Sequence, residues 1–114
     1  IVVGTGNKVE DFGVGFYTKY GDGGVDISPI ADCNKTEVWE LGKELGILKE
    51  IIDAPPTDGL WDDGRTDEGQ LGLSYKELEE AMDNENSVNR DKYNSIRSAN
   101  LHKMEPIPVC KIPN

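Results

Sequence analysis

The sequence is poor in residues that hold metals through nitrogen and sulfur. It has two cysteines, Cys33 and Cys110, and one histidine, His102. The cysteines stand far apart and form no CxxC pair, which excludes a zinc framework of recognisable spacing. Two free thiols are expected, with a disulfide as the alternative. No Ser-His-Asp or Cys-His spacing occurs, so the sequence assigns no catalytic nucleophile.

The chain also lacks excess positive charge and long apolar runs. It has 12 Lys and Arg against 22 Asp and Glu, a formal net charge of -10. Binding to nucleic acid or to an anionic membrane needs clustered basic residues, so both function classes are excluded. No run approaches the roughly 20 apolar residues of a membrane span. No charged-then-apolar signal segment is present, and we expect a cytoplasmic protein. The net negative charge does not exclude a phosphate ligand, because phosphate binding depends more on nearby lysines than on total charge.

Apolar residues are also too few for a large core. Hydrophobic residues make up 36% of the 114 residues, and 13 glycines and six prolines interrupt the periodic segments. This length fits one domain with a thin core. The first residues, Ile1 to Gly4, are typical of the end of a buried strand with no turn or cap before it. We therefore expect residues 1–114 to be part of a larger domain.

What is present favours helices joined by polar loops. Helices are predicted over Asn7 to Phe12, Lys35 to Leu45 with Asn34 as N-cap and Gly46 as stop, Ser74 to Met82 with a capping box of Ser74 and Glu77, and Ser87 to Leu101 with Ser87 as N-cap. In the second helix Val38, Trp39, Leu41 and Leu45 share a face, and in the last Val88, Tyr93, Ile96 and Ala99 are expected to face inward.

Between these helices the composition indicates loops. Ile47 to Ile52 is a short apolar connector that Pro55 and Pro56 stop from continuing as a helix. Thr57 to Gly72 holds four glycines, four aspartates and a glutamate, which predicts a mobile acidic loop. A strand, a long loop and helices in this order suit one half of an α/β domain.

Two glycine-rich stretches are candidate ligand sites. Gly4-Thr5-Gly6-Asn7 follows the predicted strand, where α/β sheets bind ligands, although an ordinary tight turn is the alternative. Glu10 could offer one carboxylate to Mg²⁺, or be a solvated first-turn glutamate. Lys19 and Asp26 bracket Gly21 to Gly24, with a cation suited to phosphate and an acceptor suited to ribose or amide donors. A plain surface loop or a calcium loop is the alternative, but EF-hand spacing is absent.

Lys35 stands in an unusual position for a structural lysine. It lies in the first turn of the second predicted helix, where a cation opposes the helix dipole. An anion nearby would account for this placement. His102 and Lys103 follow the last helix, and a lone histidine is more often structural than functional.

These stretches together resemble, in order, the C-terminal half of NAD synthetase. The matching stretches are GTGNKVE (4–10), GFYTKYGDGGVDISP (15–29), KTEV (35–38), PTDGLW (56–61), TDE (66–68) and HKM (102–104). The resemblance implies a doubly wound, mostly parallel sheet with flanking helices, of Rossmann-like or adenine nucleotide α-hydrolase type.

The resemblance implies an ATP-dependent amide-forming ligase of NAD biosynthesis. In that reaction the nicotinate carboxylate of deamido-NAD attacks the α-phosphorus of ATP, and ammonia then displaces AMP from the acyl-adenylate. By position, Thr5, Lys35 and Thr57 match ATP contacts, and Glu10 matches the Mg²⁺ ligand. Lys19, Asp26, His102 and Lys103 match contacts to deamido-NAD. In this family the dinucleotide site is built across a homodimer interface, so Lys19, His102 and Lys103 are expected to serve the partner's site. The acidic stretch around Asp62 to Glu68 resembles a mobile loop that orders over the intermediate.

One departure limits the resemblance. The family's pyrophosphate-binding Ser-Gly-Gly-x-Asp-Ser loop and the arginine that contacts deamido-NAD are absent from these 114 residues. We therefore predict that this chain alone is inactive. The sequence does not decide whether the full-length enzyme uses free ammonia or glutamine. A non-catalytic nucleotide-binding or dimerisation module is one alternative, and a calcium- or sugar-binding loop domain is another.

Overall fold

The regular secondary structure of the chain is almost entirely helical in the computed structural model, which describes residues 1–114. The helices are a π-helix Val9–Val14, α1 Lys35–Glu44, α2 Lys49–Ile52, α3 Asp67–Leu71, α4 Tyr75–Asp83, α5 Arg90–Asn100 and a 3₁₀-helix Leu101–Lys103. No helix combines the length and the apolar character that crossing a membrane requires.

The predicted sheet is reduced to one isolated parallel bridge between Val3 and Ile27. The backbone N–H of Gly4 donates to the carbonyl of Ile27 at 2.7 Å, and the N–H of Asp26 donates to Val2 at 2.9 Å. A sheet needs further strands to be stable, and residues 1–114 contain none. The doubly wound sheet is therefore not confirmed. The predicted buried strand end at residues 1–4 is wrong, since Val3 forms only the bridge and Ile1, Val2 and Val3 are 98%, 55% and 54% exposed.

The first predicted helix forms, but as a π-helix that ends two residues later, at Val14. Gly15 ends it with φ of 71°, in the left-handed region that favours glycine. The π-helix packs against α4 and α5. Short π-helical turns are often found at functional sites, because the extra residue per turn redirects a side chain. Here the turn carries Glu10.

One small cluster forms the core. Its buried members are Val9, Val14, Leu71, Leu73, Tyr75, Leu78, Ala81 and Tyr93. Only 14 of 114 residues are buried, which confirms the thin core. The Cα radius of gyration of 15.8 Å exceeds the roughly 13 Å of a compact domain of this length. The chain is therefore open, with one packed corner.

Helix α1 has the predicted bounds, within one residue. The Glu37 carboxylate accepts from the backbone N–H of Asn34 at 2.7 Å, and Gly46 follows the last turn with φ of 72°. Its apolar face is not covered by the rest of the chain, since Leu41 is 43% and Leu45 68% exposed. Only Trp39 of this helix packs against the core cluster.

The acidic stretch is only partly a loop. Residues 57–66 are irregular, but α3 follows at Asp67–Leu71, where the sequence predicted continued loop. The Thr66 hydroxyl accepts from the N–H of Gly69 at 3.0 Å and caps the helix. The N–H of Asp67 donates to the carbonyl of Pro56 at 2.9 Å. Gly69 and the acidic composition concealed this short helix, which its cap and tertiary contacts stabilise.

The last helix begins three residues later than predicted, at Arg90. Ser87 does not cap it, because its hydroxyl donates to Glu80 and accepts from the N–H of Asn89. Val88 therefore lies outside the helix and is 97% exposed, against the prediction. Tyr93 is buried and Ile96 packs against the core as expected, whereas Ala99 is exposed. The predicted connector after α1 contains the four-residue helix α2.

Candidate functional site

The four residues predicted to contact ATP and Mg²⁺ come together in one cleft of about 240 Å³. Thr5 follows the bridged stretch, Glu10 lies on the π-helix, Lys35 begins α1 and Thr57 follows the Pro55-Pro56 turn. The other residues that line the cleft are Phe16, Asp22, Pro56, Asp58 and Asp67. Four separate sequence motifs thus form a single site.

Glu10 is oriented by two donors. Its Oε2 accepts from the backbone N–H of Asn7 at 3.1 Å, and its Oε1 accepts from the Tyr75 hydroxyl at 2.7 Å. Asn7 is itself 2% exposed, and its side-chain oxygen accepts from the N–H of Val9 at 3.0 Å. Because both carboxylate oxygens are held, Glu10 is a fixed feature of the cleft and not a freely solvated glutamate.

Asp67 and Tyr75 are site residues that the sequence did not single out. The Tyr75 hydroxyl lies 2.9 Å from Asp67 Oδ2 as well as touching Glu10. Asp67 is 6% exposed, and its Oδ1 is buried without a hydrogen-bond partner. Burial raises the pKa of Asp67, although the Tyr75 hydrogen bond opposes the rise. Burial and the Glu10 charge raise the pKa of Tyr75, so it remains a neutral donor.

Signals for both residues were present in the sequence. Asp67 lies in the TDE stretch, and Tyr75 follows the Ser74 cap of α4, whose capping box is confirmed. A capping box identifies a helix start, but the partner of the first helical side chain depends on tertiary packing.

Lys35 is held over two aromatic rings. Its Nζ lies 5.9 Å from the Trp39 ring centroid and 5.4 Å from that of Tyr75, within range of a cation–π interaction. The two rings meet edge to face at 6.3 Å. Lys35 takes part in none of the ion pairs of the chain. Its ammonium is therefore positioned in the cleft while its hydrogen-bonding capacity remains for an anion.

The start of α1 is tied to α4 through Thr36. Its backbone N–H donates to Glu79 Oε1 at 3.0 Å, and its hydroxyl donates to Glu79 Oε2 at 2.7 Å. This contact fixes the helix that carries Lys35 to the helix that carries Tyr75.

The charges of the cleft suit a hard divalent cation. Four carboxylates, those of Glu10, Asp22, Asp58 and Asp67, face one cation, Lys35. A polyphosphate repels such a surface unless metal ions offset the charge. Mg²⁺ takes oxygen ligands and usually needs only one or two carboxylates. The oxygen donors and the unpaired Asp67 Oδ1 therefore fit Mg²⁺.

Three of the four predicted deamido-NAD residues form a second group. Lys19 Nζ donates to the carbonyl of His102 at 2.7 Å. Lys103 Nζ donates to the carbonyls of Gly15 and Tyr17 at 2.9 and 2.7 Å, and the Tyr17 hydroxyl donates back to the carbonyl of Lys103 at 2.8 Å. The loop at residues 15–24 and the C-terminal 3₁₀-helix are thereby joined, with the His102 side chain exposed.

Asp26, the fourth, lies apart from this group. Its Oδ2 accepts from the N–H of Val2 at 2.7 Å. A neighbouring cleft is lined by Lys103 together with Val25 and Ser28, but not by Asp26. Asp22 lines both this cleft and the one that holds Glu10.

The glycines of this loop do not serve a left-handed backbone. None of Gly21, Gly23 and Gly24 has a positive φ. A Cβ on Gly23 would lie 2.6 Å from the Tyr17 ring. The absent side chain therefore makes room for the chain's own aromatic residue, which in turn holds Lys103.

The same fold occurs in a solved structure, that of NMN synthetase from Francisella tularensis. The match has a TM-score of 0.87 and 35% sequence identity, and covers 96% of this chain and 46% of that chain. This likeness is consistent with the class of nucleotide α-hydrolase folds. Residues 1–114 do not form the sheet of that fold.

The sequence comparisons identify the family within that class. A profile of the NAD synthase family matches residues 1–111, and the chain belongs to this family. It is 48% identical to the NH(3)-dependent NAD(+) synthetase of Alkaliphilus oremlandii, over 98% of this chain and 45% of the relative. It is 44% identical to the enzyme of the same description from Archaeoglobus fulgidus, over 98% of this chain and 47% of the relative. The chain thus spans about half the length of the curated relatives it matches.

Proposed function

We propose that the protein carrying this chain is an NAD synthetase, which amidates deamido-NAD with ATP and ammonia and releases AMP and pyrophosphate. The observation that carries the proposal is the convergence of Thr5, Glu10, Lys35 and Thr57 on one cleft. The family membership supports the same reaction.

The reaction runs in two displacements. A carboxylate oxygen of the nicotinate ring bonds to the α-phosphorus as the bond to the β-phosphate oxygen breaks, and pyrophosphate leaves. Ammonia then bonds to the carbonyl carbon, AMP leaves with the electron pair of the carbon–oxygen bond, and the nitrogen loses a proton. Both steps depend on positioning and on offsetting of phosphate charge.

The residues of this chain supply part of that positioning. The Lys35 ammonium, held on its two rings, meets a phosphate, and the hydroxyls of Thr5 and Thr57 donate to ATP. Glu10 would hold Mg²⁺, which offsets phosphate charge when bound. Closure of residues 57–66 over the cleft would exclude water and protect the acyl-adenylate from hydrolysis.

The dinucleotide is assigned to the second group of residues together with Asp26, which lies apart from that group. Lys19, Lys103 and His102 supply cations or an imidazole for the phosphates, and Asp26 accepts from the ribose or an amide. Lys19 Nζ makes one hydrogen bond and Lys103 Nζ two, and an ammonium has three donors, so each retains capacity for a ligand. We place this site at the interface of a cytoplasmic homodimer, where these residues serve the partner's dinucleotide.

The direct test is formation of NAD from deamido-NAD, ATP and ammonium by the intact protein, followed by chromatography. Replacing ammonium with glutamine separates an ammonia-dependent enzyme from a glutamine-dependent one. Binding of ATP without AMP formation would instead favour a non-catalytic nucleotide-binding module.

A second candidate substrate is the mononucleotide of nicotinic acid. The solved structure of 35% identity is described as an NMN synthetase, and the same carboxylate chemistry applies to that smaller substrate. The ratio of kcat/KM for deamido-NAD and nicotinate mononucleotide decides between them. A ratio above one supports the dinucleotide, and a ratio below one the mononucleotide.

A further inference from the structure

The Tyr75 hydroxyl faces two carboxylates but has only one proton to donate to them. The phenol has a single proton, yet its oxygen lies 2.7 Å from Glu10 Oε1 and 2.9 Å from Asp67 Oδ2. It can donate fully to only one of them. The two carboxylates are therefore held within the span of two hydrogen bonds, with their charges only partly offset.

Asp67 adds an independent observation that points into the cleft. Its side chain lines the cleft and is 6% exposed, and Oδ1 has no partner among the donors of the chain. A buried carboxylate oxygen without a donor carries the full cost of its lost hydration. Such an oxygen is satisfied once it binds a ligand that accepts an electron pair.

Lys35 does not supply that partner. Its Nζ lies over the rings of Trp39 and Tyr75, and it forms no ion pair with either carboxylate. Around Asp67 the charges of Glu10 and Asp58 are negative and that of Lys35 is positive, but Lys35 makes no hydrogen bond or ion pair with Asp67. A compact cation with oxygen ligands can bridge both carboxylates, and two protein oxygens plus waters are an ordinary ligand set for Mg²⁺ or Mn²⁺.

We propose that Asp67 is a second carboxylate ligand of a divalent cation bound at Glu10, and that Tyr75 is the positioning residue that holds the two carboxylates together. This inference rests on the proposed function only in taking Glu10 as a cation ligand. It assigns the cleft a ligand from α3, the short helix that follows the acidic loop. Movement of that loop would then be coupled to cation binding.

Mn²⁺ alone tests the proposal, in the intact protein without nucleotide. The binding of Mn²⁺ is measured by electron paramagnetic resonance of the free ion, so no catalysis is required. We expect Asp67→Asn to weaken Mn²⁺ affinity roughly 10- to 100-fold, and Tyr75→Phe, which leaves both carboxylates in place, by about tenfold. Glu10→Gln should match Asp67→Asn. The control Asp62→Asn removes an equal charge from an exposed position of the acidic loop and should leave the affinity within about twofold.

Several results would overturn the assignment of Asp67. These are a parent protein that binds no Mn²⁺ at millimolar concentration, an Asp67→Asn variant with parental affinity, or an Asp62→Asn variant that loses as much as Asp67→Asn. Thermal unfolding without metal checks that each variant folds. If Asp67→Asn does not fold, Tyr75→Phe, which keeps the buried ring, tests the proposal in its place. If the parent makes no NAD but Asp67→Asn still loses Mn²⁺, the proposed function fails and this inference stands. If Glu10→Gln loses Mn²⁺ and Asp67→Asn does not, only this inference fails.

Discussion

At the residue scale, Lys35 illustrates how a charge is kept ready for a ligand. The first turn of a helix repels a cation, but two aromatic faces attract it. The rings of Trp39 and Tyr75 therefore offset part of the electrostatic cost without using the hydrogen-bond donors. The ammonium therefore keeps its hydrogen-bond donors for an anion.

We predict that Lys35→Met in the intact protein lowers kcat/KM for ATP by about 10- to 100-fold, the value of a hydrogen bond to a charged group. Steady-state kinetics with ATP as the varied substrate measures it. The matched control is Lys43→Met, in the last turn of the same helix and exposed. Equal losses in the two variants would show a general charge effect and contradict the role of Lys35.

Trp39 provides a second residue-scale prediction. Trp39→Leu removes one of the two rings under Lys35 while keeping a side chain that packs against the core. We expect KM for ATP to rise by about two- to fivefold, since an exposed cation–π contact is worth roughly 0.5–1 kcal/mol. In the Lys35→Met background the same change should have no further effect. Equal effects of Trp39→Leu with and without Lys35 would rule out action through the lysine.

At the element scale, two glycines that end helices differ in their surroundings. Gly15 and Gly46 have φ of 71° and 72°. A Cβ on Gly15 would lie 2.6 Å from the Cβ of Asn100, whereas a Cβ on Gly46 would meet nothing within 4 Å. A side chain at either position would be strained by the left-handed backbone, but only at Gly15 would it also clash with a neighbouring residue.

We therefore predict that Gly46→Ala lowers the free energy of unfolding by roughly 1–2 kcal/mol, the left-handed penalty alone. Gly15→Ala should cost a further 1–3 kcal/mol or so, because α5 must shift to admit the methyl group. Urea unfolding of the intact protein gives both values. Equal losses of unfolding free energy at the two positions would mean that Asn100 moves aside at no cost, which would contradict the prediction.

The acidic loop is more ordered than its composition suggests. The Arg65 guanidinium lies 4.2 Å from the Trp61 ring centroid and pairs with Asp63 at 2.6 Å. The hydrogen bonds from the Arg65 side chain lower the pKa of Asp63 below its ordinary value of 3.8. A lowered carboxylate pKa stabilises the ordered form above the ordinary pKa, and that contribution is lost as pH falls through the lowered pKa.

We expect the indole N–H resonance of Trp61 to keep its position from neutral pH down to about the ordinary pKa of aspartate, and to shift below it as Arg65 is released. In Asp63→Asn the released position should already be present at neutral pH. Asp62→Asn should behave as the parent does. Nuclear magnetic resonance titration measures all three. A Trp61 resonance that is the same in Asp63→Asn and the parent would contradict this account.

At the scale of the whole molecule, the residues proposed to bind ligands are present, but much of the apolar surface around them is uncovered. The chain exposes 8115 Å², against roughly 6,200 Å² for a compact monomer of its mass. Apolar side chains at α1 and α2 stay exposed: Leu45, which directly follows α1, is 68% exposed, and Ile51 on α2 is 63% exposed. The cleft brings together Thr5, Glu10, Lys35 and Thr57, but the chain contains no Ser-Gly-Gly-x-Asp-Ser loop.

We predict that residues 1–114 alone catalyse no exchange between ATP and pyrophosphate, while the intact protein does so in the presence of deamido-NAD. The physical reason is that the charge of the leaving pyrophosphate is offset by groups that this chain does not contain. Circular dichroism of residues 1–114 establishes that the helices have formed. Exchange by residues 1–114 that depends on deamido-NAD would refute the prediction.

The sequence by itself determined the local structure. Asn34, Gly46 and the Ser74-Glu77 capping box set the bounds of α1 and the start of α4, because caps act within one turn of the chain. It also determined the family, since the motifs of residues 4–10, 15–29 and 56–61 are specific in combination. These motifs contain Thr5, Glu10 and Thr57 of the cleft, and the KTEV stretch (35–38) contains Lys35.

Only the tertiary structure decided which of those residues meet. It brought Thr5, Glu10, Lys35 and Thr57 together, left Asp26 beside Val2, and added Asp67 and Tyr75. It also left the predicted sheet as one bridge, because a strand forms only with partners that residues 1–114 do not supply. Long-range contacts such as that of Tyr75 with Glu10 depend on how helices pack, and no local pattern encodes that packing.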